Sequence, residues 1–578
     1  MSNWITDSQD EQSLEELFRD ADQIHIPIFQ REYVWGQTEL NHLCQDILLI
    51  LESLESSQFL GAIVAYERTR PTHIVGRMKV IDVVDGQQRL LTLYIFVLAL
   101  AERIYQYDST ASAEIIQEFL LLSARRGLDV NTRIVPSFDD RNQFRAIWDR
   151  INSPELMKSI LVSNPPKPPL PSGKSSGKLD SQYLRINTWL KKQTPSQPDE
   201  AVAYLRSVLD IVTQKLTFVH LKLTDASVAT KIFERLNFRG VRVDIGDLVR
   251  NEVFARSSQN TGLDLELYET VWRPFESKFQ GQEELFYFPY CLIHNSNVKK
   301  SELFSELRDI WKGFGPKDIV DHMQGYQAVF LDIVKGDTHY NDKGLNQQVI
   351  RLYNLKIPSA IYPFVMQVLY HFKTGKVSLS CTKDLLAFTE SFIVRRSVLG
   401  FEPTGLHSLF KGLWNDIQMD ISVPRLKSEI FKRQTIQYPN DKEIRTALFN
   451  RPLAKAKICN FLLTEYDKSI QGDNPMDVPT IEHILPQTYS ENSDWANNFT
   501  KESHKKYVDV LANLIPLSSP LNSSIQASSF AIKRERYRNE SMFKAPRNLY
   551  EQWSAWSPES IDERSAILYD WFVTRWVE

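Results

Sequence analysis

A junction between a strand and a long apolar helix constrains this chain more than any other feature of its sequence. The segment MKVIDVVDG (78–86) has the pattern of a strand and ends at Asp85 and Gly86. The segment QQRLLTLYIFVLALAERIY (87–105) follows at once, and its apolar run is too short to span a bilayer. The sequence therefore predicts a buried helix that begins where a strand ends. Backbone N–H groups and polar side chains at such a junction can converge on a ligand.

The length and the charge balance narrow the class of protein. A chain of 578 residues is too long for one core and suggests about three domains. Its formal net charge is −4, which argues against a uniformly basic nucleic-acid coat protein. A local basic face would still allow nucleic-acid binding.

The cysteines and the N-terminal residues indicate the compartment. Cys44, Cys291, Cys381 and Cys459 are widely scattered and form no CxxC pair, so neither a disulfide framework nor a structural zinc site is expected. The first residues are polar and acidic, unlike a signal peptide. We expect a soluble cytoplasmic protein that does not enter the membrane.

The order of sequence patterns predicts an α+β protein that is predominantly helical. Strand-like segments at 59–68, 78–86 and 215–223 precede mostly helical sequence from about 262 to 470. Beyond 475 the pattern becomes strand, polar loop, strand and basic helix. The proline-rich segment 164–178 is expected to be an exposed loop, and its SGKSSGK lacks the spacing of a phosphate-binding loop. The predicted parts are an N-terminal α/β domain (1–260), a helical linking region (261–410) and a C-terminal domain (411–578).

Three N-terminal segments combine charged and amide side chains with apolar sequence. They are IPIFQREYVW (26–35), DVVDGQQRLLTL (82–93) and FERLNFRGVRVDIGDLVRN (233–251). A carboxylate and glycine at a strand end can approach a metal ion, a ribose or a phosphate, and the Gln and Arg side chains that follow can donate to oxygens. The alternative is a set of buried ion pairs, such as Arg31 or Arg89 with Asp85 or Glu234. Residue spacing alone does not decide between a ligand-binding site and buried ion pairs.

Together these segments resemble the GmrS-type domain, a ParB-like domain found in modification-dependent restriction enzymes. The matching residues are Pro27, Phe29, Gln30, Arg31, Tyr33, Trp35, Phe59, Leu60, Gly61, Asp85 to Leu90, Phe233, Glu234, Asn237, Arg239, Gly240, Asp247, Leu248 and Asn251. Leu91 and Val243 depart slightly from the family pattern. The resemblance covers about 10–255.

The resemblance implies that this domain binds and hydrolyses a nucleoside triphosphate of unspecified identity. The nucleotide-binding residues would be Asp85, Gly86, Gln87, Gln88 and Arg89. It also implies a set of residues that sense a DNA modification or lie beside the nucleotide, namely Gln30, Arg31, Tyr33, Trp35, Glu234, Asn237 and Arg239.

A second polar cluster lies near the C-terminus, in PTIEHILPQT (479–488) and the sequence downstream of it. The order Glu482-His483, Asn513, Asn522 resembles that of HNH nucleases. Phosphodiester hydrolysis needs a base and a hard cation, and carboxylate and amide oxygens suit Mg²⁺. The resemblance implies that His483 and Asn513 are catalytic, His483 as the general base and Asn513, as in other HNH folds, as the residue that orients it or its loop. Glu482 and Asn522 are the candidate ligands of Mg²⁺ or Mn²⁺. The alternative is a structural histidine beside a solvated acid.

The order Glu-His, Asn, Asn over strand, loop, strand and helix is similar to that of ββα-metal, or HNH, nucleases. EHILPQ resembles the D-H-I-V-P-Q of RNA-guided HNH nucleases, with Glu in place of Asp, and the segment resembles the GmrD-type HNH domain. Without CxxC pairs, the module must be held by a helical domain. The basic helix expected over 528–538 carries four candidate DNA contacts, Lys533, Arg534, Arg536 and Arg538, although a charged helix can also be a solvated face.

The two resemblances together predict a fused GmrS-like and GmrD-like chain, a modification-dependent (type IV) restriction endonuclease of phage defence. Its partners would be a nucleotide and modified double-stranded DNA, for example with glucosylated hydroxymethylcytosine. Cutting both strands with one HNH site per chain favours a homodimer. One alternative is a phosphorothioate-sensing NTPase-nickase of the same architecture, and another is a nucleotide-switched DNA-binding protein with an inactive HNH module.

Overall fold

The computed structural model describes residues 5–7, 11–28, 30–71, 77–122, 132–151, 176–223, 245–257, 261–403, 405–433, 436–471 and 479–578. The chain forms two compact units, one comprising Met1–Glu284 with Leu307–Val320 and the other Leu285–Glu306 with Asp321–Glu578. Helices predominate over two sheets, which confirms the α+β prediction. The division at residues 260 and 410 stays a prediction.

The first unit is built on a mixed sheet. Its strands are β1 (Ile5–Asp7), β2 (Glu11–Ser13), β3 (Gln23–His25), β4 (Gln58–Pro71), β5 (Arg77–Asp85), β6 (Ile134–Val135) and β7 (Leu216–Leu223). Their order is β1-β7-β4-β5-β3-β6, and β2 also pairs with β7. Strands β4 and β5 are antiparallel, whereas β4 runs parallel to β7, and β3 runs parallel to β5 and β6.

The helix Gln87–Tyr105, here called the central helix, lies inside the core of this unit. Every residue from Leu90 to Ala101 is buried, which confirms the buried helix expected from the apolar run. Each large apolar side chain removed from water contributes about 1.5–3 kcal/mol, so this helix is a major source of the unit's stability. The helix begins directly after β5, so the core fixes the position of the strand–helix junction.

The remaining helices that begin in the described part of this unit lie between the strands in chain order or follow them. They are Leu14–Asp20, Gln37–Leu51, Ser109–Ile115, Arg141–Ile151, Lys178–Gln193, Pro198–Asp210, Ile245–Ala255, Thr261–Leu267, Arg273–Ser277, Glu284–His294 and Pro316–Lys335, with π-helical turns at Ile116–Leu120, Ile211–Lys215 and Tyr268–Trp272.

The structure does not describe several predicted features. Glu234, Asn237 and Arg239 lie outside the described residues, as do Phe29 and most of the proline-rich segment 164–178.

The second unit is mainly helical. Its helices include Leu303–Ile310, Lys343–Leu355, Tyr362–Lys373, Leu379–Leu399, Leu406–Phe410, Leu413–Ile417, Val423–Phe431, Asp441–Asn450, Cys459–Gln471, Asp494–Asn498, Lys501–Tyr507, Ser519–Ile525, Phe530–Glu540, Lys544–Gln552 and Pro558–Arg575, with 3₁₀ turns at Lys300–Glu302, Ser359–Ile361 and Leu511–Asn513. None of the helices in the described part of the chain has the length and apolarity needed to cross a membrane.

A two-stranded antiparallel sheet interrupts these helices near the C-terminus. It pairs β8 (Thr480–His483) with β9 (Leu514–Leu517), and His483 lies opposite Leu514. The helices Ser519–Ile525 and Phe530–Glu540 follow; the latter is here called the basic helix. The predicted order of strand, loop, strand and helix is present. Side chains of this module share a core with the surrounding helices, and that core includes Trp556 and Trp576.

Candidate active site

Strand β8 ends in the glutamate–histidine pair of the C-terminal module. Thr480 and Glu482 point to one face of the strand and Ile481 and His483 to the other, because side chains alternate along a strand. The loop beyond His483 is tied to the residue that precedes β9, since the Ile484 N–H donates to the Asn513 carbonyl at 2.9 Å. Acid and imidazole therefore approach the strand end from opposite faces.

The His483 ring is held by an aspartate that the sequence analysis did not single out. Nε2 of His483 lies 3.0 Å from Oδ1 of Asp509, and 15% of the histidine side chain remains exposed. The amide nitrogen of Gln487 lies 3.4 Å from the same ring nitrogen. In the sequence, Asp509 is a lone acidic residue among apolar residues just before Asn513. That position is the sequence signal by which it could have been found.

Asn513 joins the loop after β8 to the loop before β9. Its Oδ1 accepts from the Leu485 N–H at 2.8 Å and from the indole N–H of Trp556 at 3.1 Å. Its Nδ2 donates to the carbonyls of Leu485 at 3.0 Å and Val508 at 2.8 Å. The side chain is fully buried, and all its usual hydrogen-bonding positions are filled. It therefore sets the position of the residues on either side of the site.

The carboxylate of Glu482 is buried and paired with a lysine. Its Oε1 accepts from Nζ of Lys533 at 2.6 Å and from the hydroxyl of Tyr537 at 2.8 Å. Lys533 also donates to the His483 carbonyl at 2.7 Å. Burial lowers the pKa of Lys533, and the charge of Glu482 opposes that shift. Burial raises the pKa of Tyr537 well above its usual value, and the neighbouring Glu482 charge adds to the rise.

This environment differs from the one expected for Lys533. The sequence suggested a DNA contact, but the side chain is 1% exposed and points inward from the basic helix. The reason is helical periodicity: Phe530, Lys533 and Tyr537 lie three and four residues apart and are all buried on that helix.

Asn522 donates to the strand that carries Glu482. Its Nδ2 donates to Oγ1 of Thr480 at 2.9 Å and to the Ile481 carbonyl at 3.0 Å. These bonds leave Oδ1 as the atom that can bind a ligand. Within the described residues, no group of three or more His, Cys, Asp or Glu side chains could hold a metal ion. One carboxylate and one amide oxygen are nevertheless ligand types that suit Mg²⁺, which retains several waters and takes few protein ligands.

Two arginines of the basic helix flank a tyrosine ring. The guanidinium carbons of Arg534 and Arg538 lie 4.1 Å and 4.4 Å from the ring centre of Tyr550. Arg534 also donates to the Tyr550 carbonyl at 2.6 Å. Arg536 instead pairs with Glu540 through two hydrogen bonds of 2.8 Å and 2.7 Å. The three arginines therefore differ in how freely they can approach a phosphate.

In the first unit, Gln88 holds the segment that contains Tyr33. Its Oε1 accepts from the Val34 N–H at 2.8 Å, and its Nε2 lies 3.4 Å from the Glu32 carbonyl that it donates to. The Tyr33 hydroxyl contacts Oγ1 of Thr92 on the central helix at 2.6 Å. Gln88 and Tyr33 are thus engaged within the protein.

Asp140 holds the same segment from another side. Both of its carboxylate oxygens accept from the Tyr33 N–H at 3.0 Å, and Oδ2 accepts from the Ser137 hydroxyl at 2.9 Å. Only 1% of Asp140 is exposed, and burial raises its pKa to about 7. This residue was not singled out from the sequence, because it belongs to none of the three N-terminal segments.

Gln30 and Arg31 contact the helix Ile245–Ala255. Nε2 of Gln30 donates to Oδ1 of Asn251 at 3.1 Å and to the Val84 carbonyl at 3.3 Å. Nε of Arg31 lies 3.5 Å from Oδ2 of Asp247. The alternative interpretation, in which Arg31 belongs to an ion pair, therefore has a partner in Asp247 that the sequence did not suggest.

Arg89 and Trp35 are also engaged within the unit. Arg89 donates to the Ala62 carbonyl at 3.0 Å, and its guanidinium lies beside Gly61, whose φ is +108°. Trp35 is partly buried against the core.

The strand–helix junction keeps other polar groups available. Gly86 adopts φ +95°, and no side chain caps the central helix there. A Cβ at Gly86 would lie 2.9 Å from Cγ1 of Ile63, so the position excludes larger residues. In the part of the chain that the structure describes, Oε1 of buried Gln87 has no hydrogen-bond partner, and none is found for the Asp85 carboxylate.

Two family models match the chain, one within each unit. Residues 14–254 match the model of the N-terminal domain of the GmrSD restriction endonuclease, and residues 438–571 match the C-terminal domain of GmrSD restriction endonucleases. The matches cover more than half of the chain and include the strand–helix junction and the whole β8–β9 module. No curated protein matches the chain. The chain therefore belongs to the GmrSD family of restriction endonucleases.

Proposed function

We propose that the β8–β9 module is the DNA-cutting centre of this restriction endonuclease and that it is an HNH nuclease site. The observation that carries the proposal is the orientation of Asn522. Its amide nitrogen is bound to Thr480 and Ile481, so its oxygen is left free beside the strand that carries Glu482 and His483.

His483 is the general base in this proposal. One ring nitrogen, Nε2, faces Asp509, so the other, Nδ1, is the atom that takes the proton from the attacking water. Asn513 acts by position, because its four hydrogen bonds hold the loops on both sides of the imidazole. Neutral imidazole is suited to this task near pH 7.

The ligands for Mg²⁺ or Mn²⁺ would be Glu482 and Asn522. Oε1 of Glu482 is occupied by Lys533 and Tyr537, so Oε2 is the oxygen left for a cation. The bound cation would stabilise the charge that develops on the phosphate and the leaving oxygen. Lys533 fixes the carboxylate so that it can offer only one oxygen.

The nucleotide site would lie at the start of the central helix. Uncapped N–H groups of the first turn favour phosphate, and the unpartnered Oε1 of Gln87 is an acceptor suited to a hydroxyl or amino group. Asp85, Gly86 and Gln87 would contact the nucleotide most directly. Arg89 lies close by, and Gln88 supports the site by holding the segment around Tyr33.

The substrate in this proposal is modified double-stranded DNA of phages, with the Gln30-to-Trp35 segment helping to sense the modification. Two copies of the chain would be needed to cut both strands. Nucleotide hydrolysis in the first unit would regulate the cutting.

A cleavage panel tests the proposal. Full-length protein is incubated with Mg²⁺ or Mn²⁺, with and without each nucleotide, on plain, glucosylated hydroxymethylcytosine and phosphorothioate DNA. We expect cutting of the glucosylated DNA, loss of cutting in His483→Ala and retained DNA binding by that variant. Nicking confined to phosphorothioate DNA would favour the sulfur-sensing alternative. Binding without cutting under every condition would favour an inactive HNH module, and equal cutting of plain DNA would contradict modification dependence.

A further inference from the structure

We propose that Asp509 is a positioning residue that fixes the tautomer of His483 and so leaves Nδ1 free to accept a proton. The inference rests on the proposed role of His483 as general base. It concerns a carboxylate 26 residues from the histidine in sequence and 3.0 Å from it in space.

The backbone around Asp509 is held from two sides. Its own carbonyl accepts from the N–H groups of Leu453 at 2.7 Å and Ala454 at 3.3 Å. The carbonyl of the preceding residue, Val508, accepts from Nδ2 of Asn513 at 2.8 Å. The carboxylate therefore stands on a fixed support and not on a free loop. A side chain anchored in this way can hold an imidazole at a constant angle.

The chemistry of the contact selects one tautomer. An ionised carboxylate only accepts hydrogen bonds, so Nε2 of His483 must carry the hydrogen that lies between them. Neutral imidazole carries one N–H, so Nδ1 then has a lone pair and can act as a base.

A competing group makes this selection necessary. The Gln487 amide nitrogen, 3.4 Å from Nε2, is also a donor and cannot share that nitrogen with its hydrogen. Without the carboxylate, Gln487 can donate to a lone pair on Nε2, which places the hydrogen on Nδ1. Asp509 opposes that arrangement, in which the base is blocked.

Glu482 cannot substitute for Asp509. It lies on the opposite face of β8, and its Oε1 is occupied by Lys533 and Tyr537. Although Glu482 is next to His483 in sequence, no contact between its side chain and the His483 ring is found in the described structure. The two carboxylates have separate tasks.

Nitrogen NMR of the metal-free full-length protein tests the tautomer directly. With ¹⁵N-labelled histidine, the His483 signals are those missing in His483→Ala. We expect the wild type to show the hydrogen on Nε2, and Asp509→Asn, whose side chain is nearly the same size, to move it wholly or partly to Nδ1. An unchanged signal in Asp509→Asn would overturn the proposal.

Cleavage kinetics supply the second readout. We expect Asp509→Asn to lower kcat by about 10²-fold or more with little change in KM, because the tautomer affects chemistry and not DNA binding. Asp509→Glu should recover part of the loss, and Asp494→Asn, which removes an exposed carboxylate of the same module, should cut as the wild type does.

The failures of the two proposals are distinguishable. Wild-type cutting by His483→Ala would remove the proposed base itself. An inactive His483→Ala together with wild-type kcat in Asp509→Asn would keep the base and reject the positioning role. Equal thermal unfolding midpoints of Asp509→Asn and the wild type exclude misfolding as the cause of a lost rate. For Asp509→Glu, the ¹⁵N signal of His483 shows in the same way which ring nitrogen carries the hydrogen.

Discussion

Lys533 donates from Nζ to Oε1 of Glu482 at 2.6 Å, and their side chains are 1% and 6% exposed. A buried ion pair of this kind is costly to break, because the remaining partner keeps its charge without compensation. The same contact orients the proposed metal ligand. The stability of the protein and the orientation of the proposed metal ligand Glu482 therefore both depend on Lys533.

Lys533→Met should destabilise the protein by about 3–5 kcal/mol, because Glu482 is left buried and unpaired. Urea unfolding followed by tryptophan fluorescence measures the change. Lys505→Met, which removes an exposed lysine of the same unit, is the control and should change stability little. In the double variant Glu482→Gln, Lys533→Met, much of the loss should be recovered. A Lys533→Met protein as stable as the control would contradict the buried pair.

Asn513→Ala should cost stability and cutting together. Its removal leaves the Leu485 N–H and the Trp556 indole N–H without an acceptor, at about 1–3 kcal/mol for each group. The unfolding free energy and the cleavage rate are measured side by side, with the exposed Asn497→Ala as control. Retention of both quantities would show that the loops do not depend on this amide.

Features set by local sequence were predictable. The apolar run and the glycine before it determine the central helix, since both act within a few residues. The order of β8, β9 and the basic helix likewise follows from short patterns separated by polar loops. Strand β3 likewise ends at His25, two residues before Pro27, which lacks the N–H that a central strand needs.

Contacts between distant residues were not predictable from one sequence. Gln88 was expected to face a nucleotide, yet it holds Val34, 54 residues away, and Lys533 holds Glu482, 51 residues away. Such pairs depend on how helices and strands pack, which residue type and spacing do not determine. For Lys533 a partial signal existed, because the position of Tyr537 four residues later put both on one helix face.

Gly86→Ala should be more destabilising than Gly375→Ala, a similar substitution at another glycine with positive φ. Both Gly86 and Gly375 have positive φ, +95° and +75°, but only at Gly86 would a Cβ meet a neighbour, Cγ1 of Ile63 at 2.9 Å. Gly375→Ala should cost about 1–2 kcal/mol for the backbone alone. Gly86→Ala should add about 1–3 kcal/mol of overpacking. Equal losses in urea unfolding would mean that Ile63 moves aside freely.

Asp140 should make stability fall as pH rises. Its pKa is about 7 in the folded protein against a usual value of 3.8, so the folded state retains a proton that the unfolded state loses between these values. The stability that it supports is complete below pH 4 and is lost progressively up to pH 7, by about 4 kcal/mol. Asp140→Asn should remove this component, whereas Asp149→Asn, at an exposed carboxylate, should retain it. Parallel stability–pH curves for the wild type and Asp140→Asn would contradict the prediction.

Arg538 and Arg536 should differ in their contribution to DNA binding. Both lie on the basic helix, but Arg536 is already bound twice by Glu540, while Arg538 rests on the Tyr550 ring and leaves its N–H groups available. Arg538→Ala should weaken binding to DNA of any sequence and lower the salt dependence of the binding constant by about one ion. Arg536→Ala, the matched control, should have a smaller effect, because forming a phosphate contact there first requires breaking the pair with Glu540. Fluorescence anisotropy in the His483→Ala background, which we expect to bind DNA without cutting it, measures both constants over a range of salt. If the two arginines give the same slope, the pairing with Glu540 does not restrain Arg536, and the whole helix acts as one electrostatic surface.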